Sequence, residues 1–231
     1  MVPREDLAKL ALGCRILAAQ GLGDLNLGHL SLRDPDGRGF WMKRAGPGLD
    51  EVRVADLVQV GFDGALLRGD GPLHIEWPIH AMVLEARADL RAVGHTHGKW
   101  TAIVSASRGV DIRPLTHAGA MFPGGFPRFE ATGNLISTPD LGRSLATALA
   151  GAPAVLMRNH GATFGAASIE RAVVTGVQLE RAAEAEMRLR AAGAEAVASP
   201  PEEAQAKAAT IYPESAVVSM FDWCARQLAK R

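Results

Sequence analysis

The chain has 231 residues, with 25 basic and 25 acidic side chains and a formal net charge of zero. That balance offers no global attraction to nucleic acid or to an anionic membrane, and no apolar run is long enough to span a bilayer. The length suits one large domain with a tail, and Cys14 and Cys224 form no CxxC pair, so they read as reduced thiols of a cytoplasmic protein.

The N-terminal segment carries Arg4, Glu5, Asp6 and Lys9 and therefore does not read as a signal peptide. Leu7, Leu10, Ala11, Cys14, Leu17 and Ala18 recur at helical spacing, and Gly21 and Gly23 stop that helix. The Gly21-Leu22-Gly23 turn follows a helix rather than a strand, so it reads as a helix end and not as a dinucleotide loop. His29 to Arg33 alternates like a strand, Asp34-Pro35-Asp36-Gly37 is a turn, and Phe40-Trp41-Met42 resumes as the second strand of a hairpin. Leu57 to Val60 and Ala65 to Leu67 flank Asp63-Gly64, a second hairpin signal. A helix is predicted from Trp77 to Ala88, then a strand from Leu90 that ends in His95-Thr96-His97, then another helix. Residues 109–137 are rich in Gly and Pro and carry no clear periodicity; Gly124-Gly125 lies in a turn there. Leu141 to Leu149 is helical, and Ala154 to Met157 and Ala162 to Phe164 are strands around His160. Ser168 caps a two-faced helix reaching Ala191, Gly193 to Pro201 is a linker, and Glu202 to Ala209 and Pro213 to Leu228 close the chain as helices. Hairpins mixed with helices argue for a layered α/β domain with a largely antiparallel sheet.

No P-loop and no Gly-x-Ser-x-Gly elbow is present. His95 and His97 carry the most chemistry. Residues two apart on a strand point the same way, so both imidazoles reach one point in space and supply half of a tetrahedral metal site. His160, before Gly161, ends another apolar strand, and Glu76 heads the helix that leads into the His95 strand. His80 falls one turn after Glu76 on the same helix face and reads as a supporting or packing residue.

Glu76-Trp77-Pro78-Ile79-His80, the run from Arg87 to His97, and Arg158-Asn159-His160-Gly161 together resemble the class II aldolase/adducin family, in its order and spacing from about Leu7 to Ala192. The resemblance implies a three-layer α/β/α fold with a central, mostly antiparallel sheet, and a homotetramer with sites at subunit interfaces. It implies that His95, His97 and His160 bind a divalent metal. Zn2+ leads, with Mn2+, Fe2+ or Co2+ compatible with such ligands. It further implies that Glu76 is the acid/base residue and also the fourth ligand.

Departures from the family's sugar-phosphate aldolases narrow the substrate. Their phosphate cradle uses a Gly-Asn pair, a Thr/Ser-Gly turn and two serines before the glutamate; here those places read Gly28-His29, Arg44-Ala45-Gly46-Pro47-Gly48 and His74-Ile75. Their proton-donating Tyr follows a mid-chain His, whereas Ala118 follows His117 and the sole tyrosine is Tyr212. Gly28-His29 instead resembles family members that decarboxylate hydroxylated aromatic or pyridine carboxylic acids. His29 is therefore a candidate catalytic residue beside Glu76, and Lys43, Arg44 and Tyr212 are candidates to bind the substrate. Adjacent strand residues face opposite ways, so at most one of Lys43 and Arg44 faces the site.

The expectation is a metal-dependent carbon–carbon lyase acting on a small molecule through an enolate-type intermediate, with decarboxylation ahead of retro-aldol cleavage of a sugar or sugar phosphate. An iron-dependent oxygenase and a non-catalytic adducin-like module are the remaining readings. Residues 1–198 are expected to form the domain, and 199–231 a helical tail on the same domain or on a neighbouring subunit, where it would carry Tyr212.

Overall fold

Helix α1 (Arg4–Leu17) buries Leu10, Ala11, Cys14 and Leu17 along one side and continues into a wide turn, Ala18–Leu22, that ends at the left-handed Gly21. The computed structural model describes residues 2–230. After that turn the chain lays down β1 (His29–Arg33), β2 (Phe40–Lys43), β3 (Leu57–Val60) and β4 (Leu66–Arg68), the two hairpins of the first third. Helix α2 (Trp77–Ala86) starts with Pro78 in its first turn and feeds β5 (Ala92–Thr96). Then come α3 (Lys99–Ser105), α4 (His117–Ala120), β6 (Arg128–Phe129), α5 (Pro139–Leu149), β7 (Ala154–Met157), β8 (Gly161–Ala166) and α6 (Ile169–Ala191). Helices α7 (Pro201–Ile211) and α8 (Glu214–Leu228) close the chain. The segment without clear periodicity thus holds a one-turn helix and a two-residue edge strand, both too short for a repeat pattern to show.

One sheet carries all eight strands in the order β4-β3-β2-β1-β5-β8-β7-β6. Every neighbouring pair is antiparallel except β6 and β7. Strand alternation sorts the side chains into two cores. Leu30, Leu32, Ala154, Leu156, Ala162 and Phe164 pack on one face against α1, α6 and α8. Phe40, Met42, Val58, Val60, Val93, Val155 and Met157 pack on the other against α2 and α5. Helices on both faces give the expected three-layer α/β/α arrangement around a mostly antiparallel sheet.

The α2 face of the three central strands turns polar at one end. His29 pairs across the sheet with His95, and His95 with Thr163, so their side chains share that face, as does Ser31. All four residues are buried. Buried polar atoms are costly unless bonded, so this end of the sheet must hold a hydrogen-bond network or a ligand. Gly94, between the two ladder positions, has room only for hydrogen, because a Cβ there would meet the Phe164 ring.

α7 packs on α4, α8 on α6 and α1, and Val217 and Phe221 complete the first core. Among the described residues, no helix is long and apolar enough to cross a membrane.

Candidate metal centre

Four side chains from three parts of the chain converge where β5 ends. His95 is the fourth residue of β5, and His97 lies one residue past the strand but still beside it: their Nε2 atoms are 3.0 Å apart. His160 comes from the tight β7–β8 connection, whose Asn159 has φ 56° and whose Gly161 has φ 152°. A Cβ at Gly161 would strike the Thr96 carbonyl, so only glycine lets His160 approach β5 this closely. Glu76 stands at the start of α2, with Oε2 3.7 Å from His95 Nε2 and Oε1 3.5 Å from His160 Nε2. The Ile136 N–H donates to Glu76 Oε1 at 2.8 Å and pins the carboxylate.

Hydrogen bonds behind the rings decide which nitrogen faces inward. The Ala162 carbonyl can only accept, so at 3.1 Å it takes the proton of His95 Nδ1. The Asp24 carboxylate likewise accepts from His97 Nδ1 at 3.1 Å. Both Nε2 atoms then present lone pairs to each other across 3.0 Å. His160 Nε2 is buried without a hydrogen-bond partner. Such converging lone pairs beside a carboxylate repel one another unless a cation sits among them. The four ligand atoms lie within 4.8 Å of one another. Tetrahedral ligands at zinc bond lengths stand about 3.4 Å apart, so the set needs little adjustment to close on a divalent ion.

Electrostatics suit that role. Burial acts to raise the Glu76 pKa, but the neighbouring His160 and His95 rings and the Ile136 N–H together outweigh it and bring the group down to about 2. Burial pushes His95 well below the ordinary imidazole value, keeping it neutral and free to ligate.

A second group of side chains adjoins the first. The His29 ring lies 5.2 Å from the His95 ring, centre to centre, and 4.7 Å from that of His74. His29 Nδ1 meets His80 Nε2 at 2.6 Å, and His80 Nδ1 meets Ser31 Oγ at 2.7 Å. Lys43, expected at a strand end, is fully buried. Its ammonium donates to Asn26 O at 3.1 Å, Pro47 O at 2.8 Å and His74 Nε2 at 2.7 Å, which uses its three N–H bonds. Burial, foremost, lowers the Lys43 pKa to about 8.

Two sequence candidates lie apart from this cluster. The Arg44 guanidinium is paired with Asp56 at 2.9 Å, so the strand alternation that brings Lys43 to His74 takes Arg44 elsewhere. Tyr212 is buried, donates its hydroxyl to the His117 carbonyl at 2.8 Å, and lines a separate cavity with Arg87, Met121 and Arg171. The cleft that opens on the metal set has a volume of about 570 Å3 and is lined by Asp24, His97, Lys99, Asn134, Asn159 and His160 among others. Asp24, Ile136, Ala162 and Lys99 gave no sequence signal. The first three act through a side chain or backbone group on a residue far away in the chain.

The buried imidazoles predict acid sensitivity. His80 is lowered to about 3 by burial and then by His74, and His74 to about 4 by burial and then by Lys43. Lowered folded values mean that the unfolded chain binds protons the folded chain refuses. Stability therefore rises with pH between those values and 6.5 and is lost as pH falls through that window. With chelator present, so that metal release does not contribute, the melting temperature is expected to drop on going from about pH 7 to about pH 5. A flat calorimetric profile would show that these rings protonate without unfolding the site.

The sequence matches the model of the Class II Aldolase and Adducin N-terminal domain over residues 8–187. A 3,4-dihydroxyphthalate decarboxylase of Arthrobacter keyseri is 32% identical over 197 residues, covering 80% of this chain and 78% of that one. The protein of the same description from Rhodococcus jostii is 33% identical over 197 residues, covering 80% of each chain. Among solved structures, an L-fuculose 1-phosphate aldolase from Glaciozyma antarctica superposes with a TM-score of 0.84, covering 98% of this chain and 90% of that one, at 22% identity. At that identity the likeness is one of fold.

Proposed function

The chain belongs to the class II aldolase and adducin family and is a lyase; from that premise we propose that it is a divalent-metal-dependent decarboxylase of a hydroxylated aromatic or heteroaromatic carboxylic acid. The observation that carries this reading is the His29–His74–Lys43 group beside the metal set, 4.7 Å between the two rings and 2.7 Å from Lys43 to His74. It stands where a sugar-phosphate site would offer small hydroxyl and amide donors. The similarity to two dihydroxyphthalate decarboxylases over most of the chain supports the same reading. Zn2+ is the ion we propose, since three imidazoles and one carboxylate suit it. A homotetramer in the cytoplasm is part of the proposal.

Held by His95, His97, His160 and Glu76, a divalent ion supplies Lewis acidity for the negative charge that develops on oxygen. The chain's own residues do the rest. His74 accepts from Lys43 at Nε2, which leaves its Nδ1–H as the donor for a substrate carboxylate. Lys43 thus acts through His74 rather than by direct contact. His29 holds the proton that moves between the substrate hydroxyl and the carbon that loses CO2.

The test is CO2 release from a panel of ortho-hydroxy benzoates and pyridine carboxylates with Zn2+, Mn2+ or Fe2+, run beside cleavage of sugar 1-phosphates. Efficient sugar-phosphate cleavage with no decarboxylation across the panel would overturn the proposal. Lys43→Met, which removes the donor to His74 but keeps the bulk, is expected to raise KM for the acid roughly 10–100-fold, the worth of one hydrogen bond to a charged group. Metal content should stay at the wild-type level; an unchanged KM would remove Lys43 and His74 from carboxylate binding.

A further inference from the structure

We propose that His80, anchored by Ser31, is a positioning residue that fixes the tautomer of His29 and leaves His29 Nε2 as the lone pair facing the substrate. The assignment of Nε2 to the substrate's hydroxyl proton rests on the decarboxylase reading above; the tautomer does not.

One line of hydrogen bonds joins His29, His80, Ser31 and the Val93 carbonyl, and its far end has a fixed direction. A backbone carbonyl only accepts, and the Val93 carbonyl accepts from Ser31 Oγ at 3.3 Å. With its proton turned to Val93, Ser31 Oγ offers a lone pair to His80 Nδ1 at 2.7 Å. His80 therefore carries its proton on Nδ1. Its ring is fully buried, which disfavours charge, so its Nε2 is a bare lone pair. That lone pair meets His29 Nδ1 at 2.6 Å, and a contact this short between two imidazole nitrogens needs one proton between them. The proton belongs to His29 Nδ1. His29 is buried too, and a neutral imidazole has one N–H, so its Nε2 is an acceptor. His29 Nε2 has no hydrogen-bond partner among the described residues and, unlike His160 Nε2, is not sealed from solvent. The opposite order, Ser31 donating to His80, would leave the Val93 carbonyl without the Ser31 proton and turn His29 Nε2 into a donor.

The acceptor form gives His29 work to do at each step. The substrate O–H bond breaks as Nε2 takes the proton, and the imidazolium so formed keeps its Nδ1–H on His80. As CO2 leaves, the electron pair of the broken C–C bond stays on the ring. The Nε2–H bond then breaks as that carbon takes the proton, and the substrate oxygen recovers a proton from water. His80 touches no reacting atom; it sets the direction in which His29 can work.

The experiment uses zinc-loaded full chain labelled with 15N-histidine, with long-range 1H–15N correlations assigned by the loss of signals in His29→Ala. In the wild type, His29 is expected to show a protonated Nδ1 and an unprotonated Nε2. His80→Ala should blur that pattern and lower kcat roughly 10–100-fold, the usual cost of losing an orienting partner, with KM and zinc content little changed. His80→Gln should restore both, because its amide oxygen also accepts from His29 Nδ1. A wild-type His29 protonated on Nε2, an unchanged pattern in His80→Ala, or equal losses in the two variants would overturn the proposal. If the wild type decarboxylates nothing in the panel while the His29 pattern and its His80 dependence hold, the reaction assignment fails and the positioning role stands.

Discussion

Replacing His95 with alanine is expected to strip the protein of its metal and to lower kcat/KM by about 10^3-fold or more. A bound divalent ion contributes several kcal/mol to stabilising negative charge in a transition state, and each 1.36 kcal/mol is a factor of ten. His95 is the proposed ligand that neighbours every other member of the set. Its ring meets those of His97 and His160 at 4.9 Å, faces the Glu76 carboxylate, and is turned by the Ala162 carbonyl. His97→Ala should show the same loss, since His97 belongs to the same candidate ligand group and is turned toward it by Asp24 at 3.1 Å. The measurements are metal per chain after dialysis and turnover with Zn2+ added back. A His95→Ala protein that kept one ion per chain and near wild-type turnover would place the metal, or the chemistry, somewhere else.

Glu76→Gln is expected to lower kcat roughly 10²–10⁴-fold, the range of a lost acid/base group, while the fold and most of the metal remain. The glutamine side-chain oxygen still accepts the Ile136 N–H that pins this residue at 2.8 Å, and the three imidazoles still ligate. What disappears is the negative charge. With its pKa lowered to about 2, Glu76 is ionised throughout the working range, which suits a proposed ligand and not a stored acid. That is one reason to give the returning proton to His29. Zinc titration separates the two roles: weaker affinity with kcat recovered at saturating zinc would confine Glu76 to ligation, and unchanged kcat and affinity would remove it from the site altogether.

The site has two halves that meet at His95. One is the proposed ligand set, His95, His97, His160 and Glu76. The other is the His29, His74, His80 and Lys43 group, which reaches the first through the His29–His95 contact at 5.2 Å. Six of the seven histidines in the chain therefore lie in one continuous patch at the end of β1 and β5. Such a patch is unfavourable in a buried setting unless each ring is neutral and each nitrogen has a defined role. The Ala162 carbonyl, the Asp24 carboxylate, the Lys43 ammonium and the Ser31–Val93 pair supply those definitions one ring at a time.

Local pattern marked the candidate ligands and most of the elements. Strand alternation places His95 and His97 together, a glycine after His160 marks the tight β7–β8 turn, and hydrophobic periodicity outlines α1, α5 and α6; each signal spans a few residues and needs no partner to be read. The tertiary structure decided everything that depends on which strands become neighbours. Only the insertion of β5 between β1 and β8 brings His29 against His95 and the Ala162 carbonyl behind it. The bonds that orient the rings join residues far apart in the chain: 49 positions for His80 and Ser31, 73 for His97 and Asp24, 60 for Glu76 and Ile136. The sequence states what Lys43, Arg44 and Tyr212 are able to do but not whom they meet. Packing gave Lys43 to His74, Arg44 to Asp56 and Tyr212 to the His117 carbonyl. A side chain's chemistry is a local property, whereas its partner is set by sheet order and register, which only the folded chain establishes.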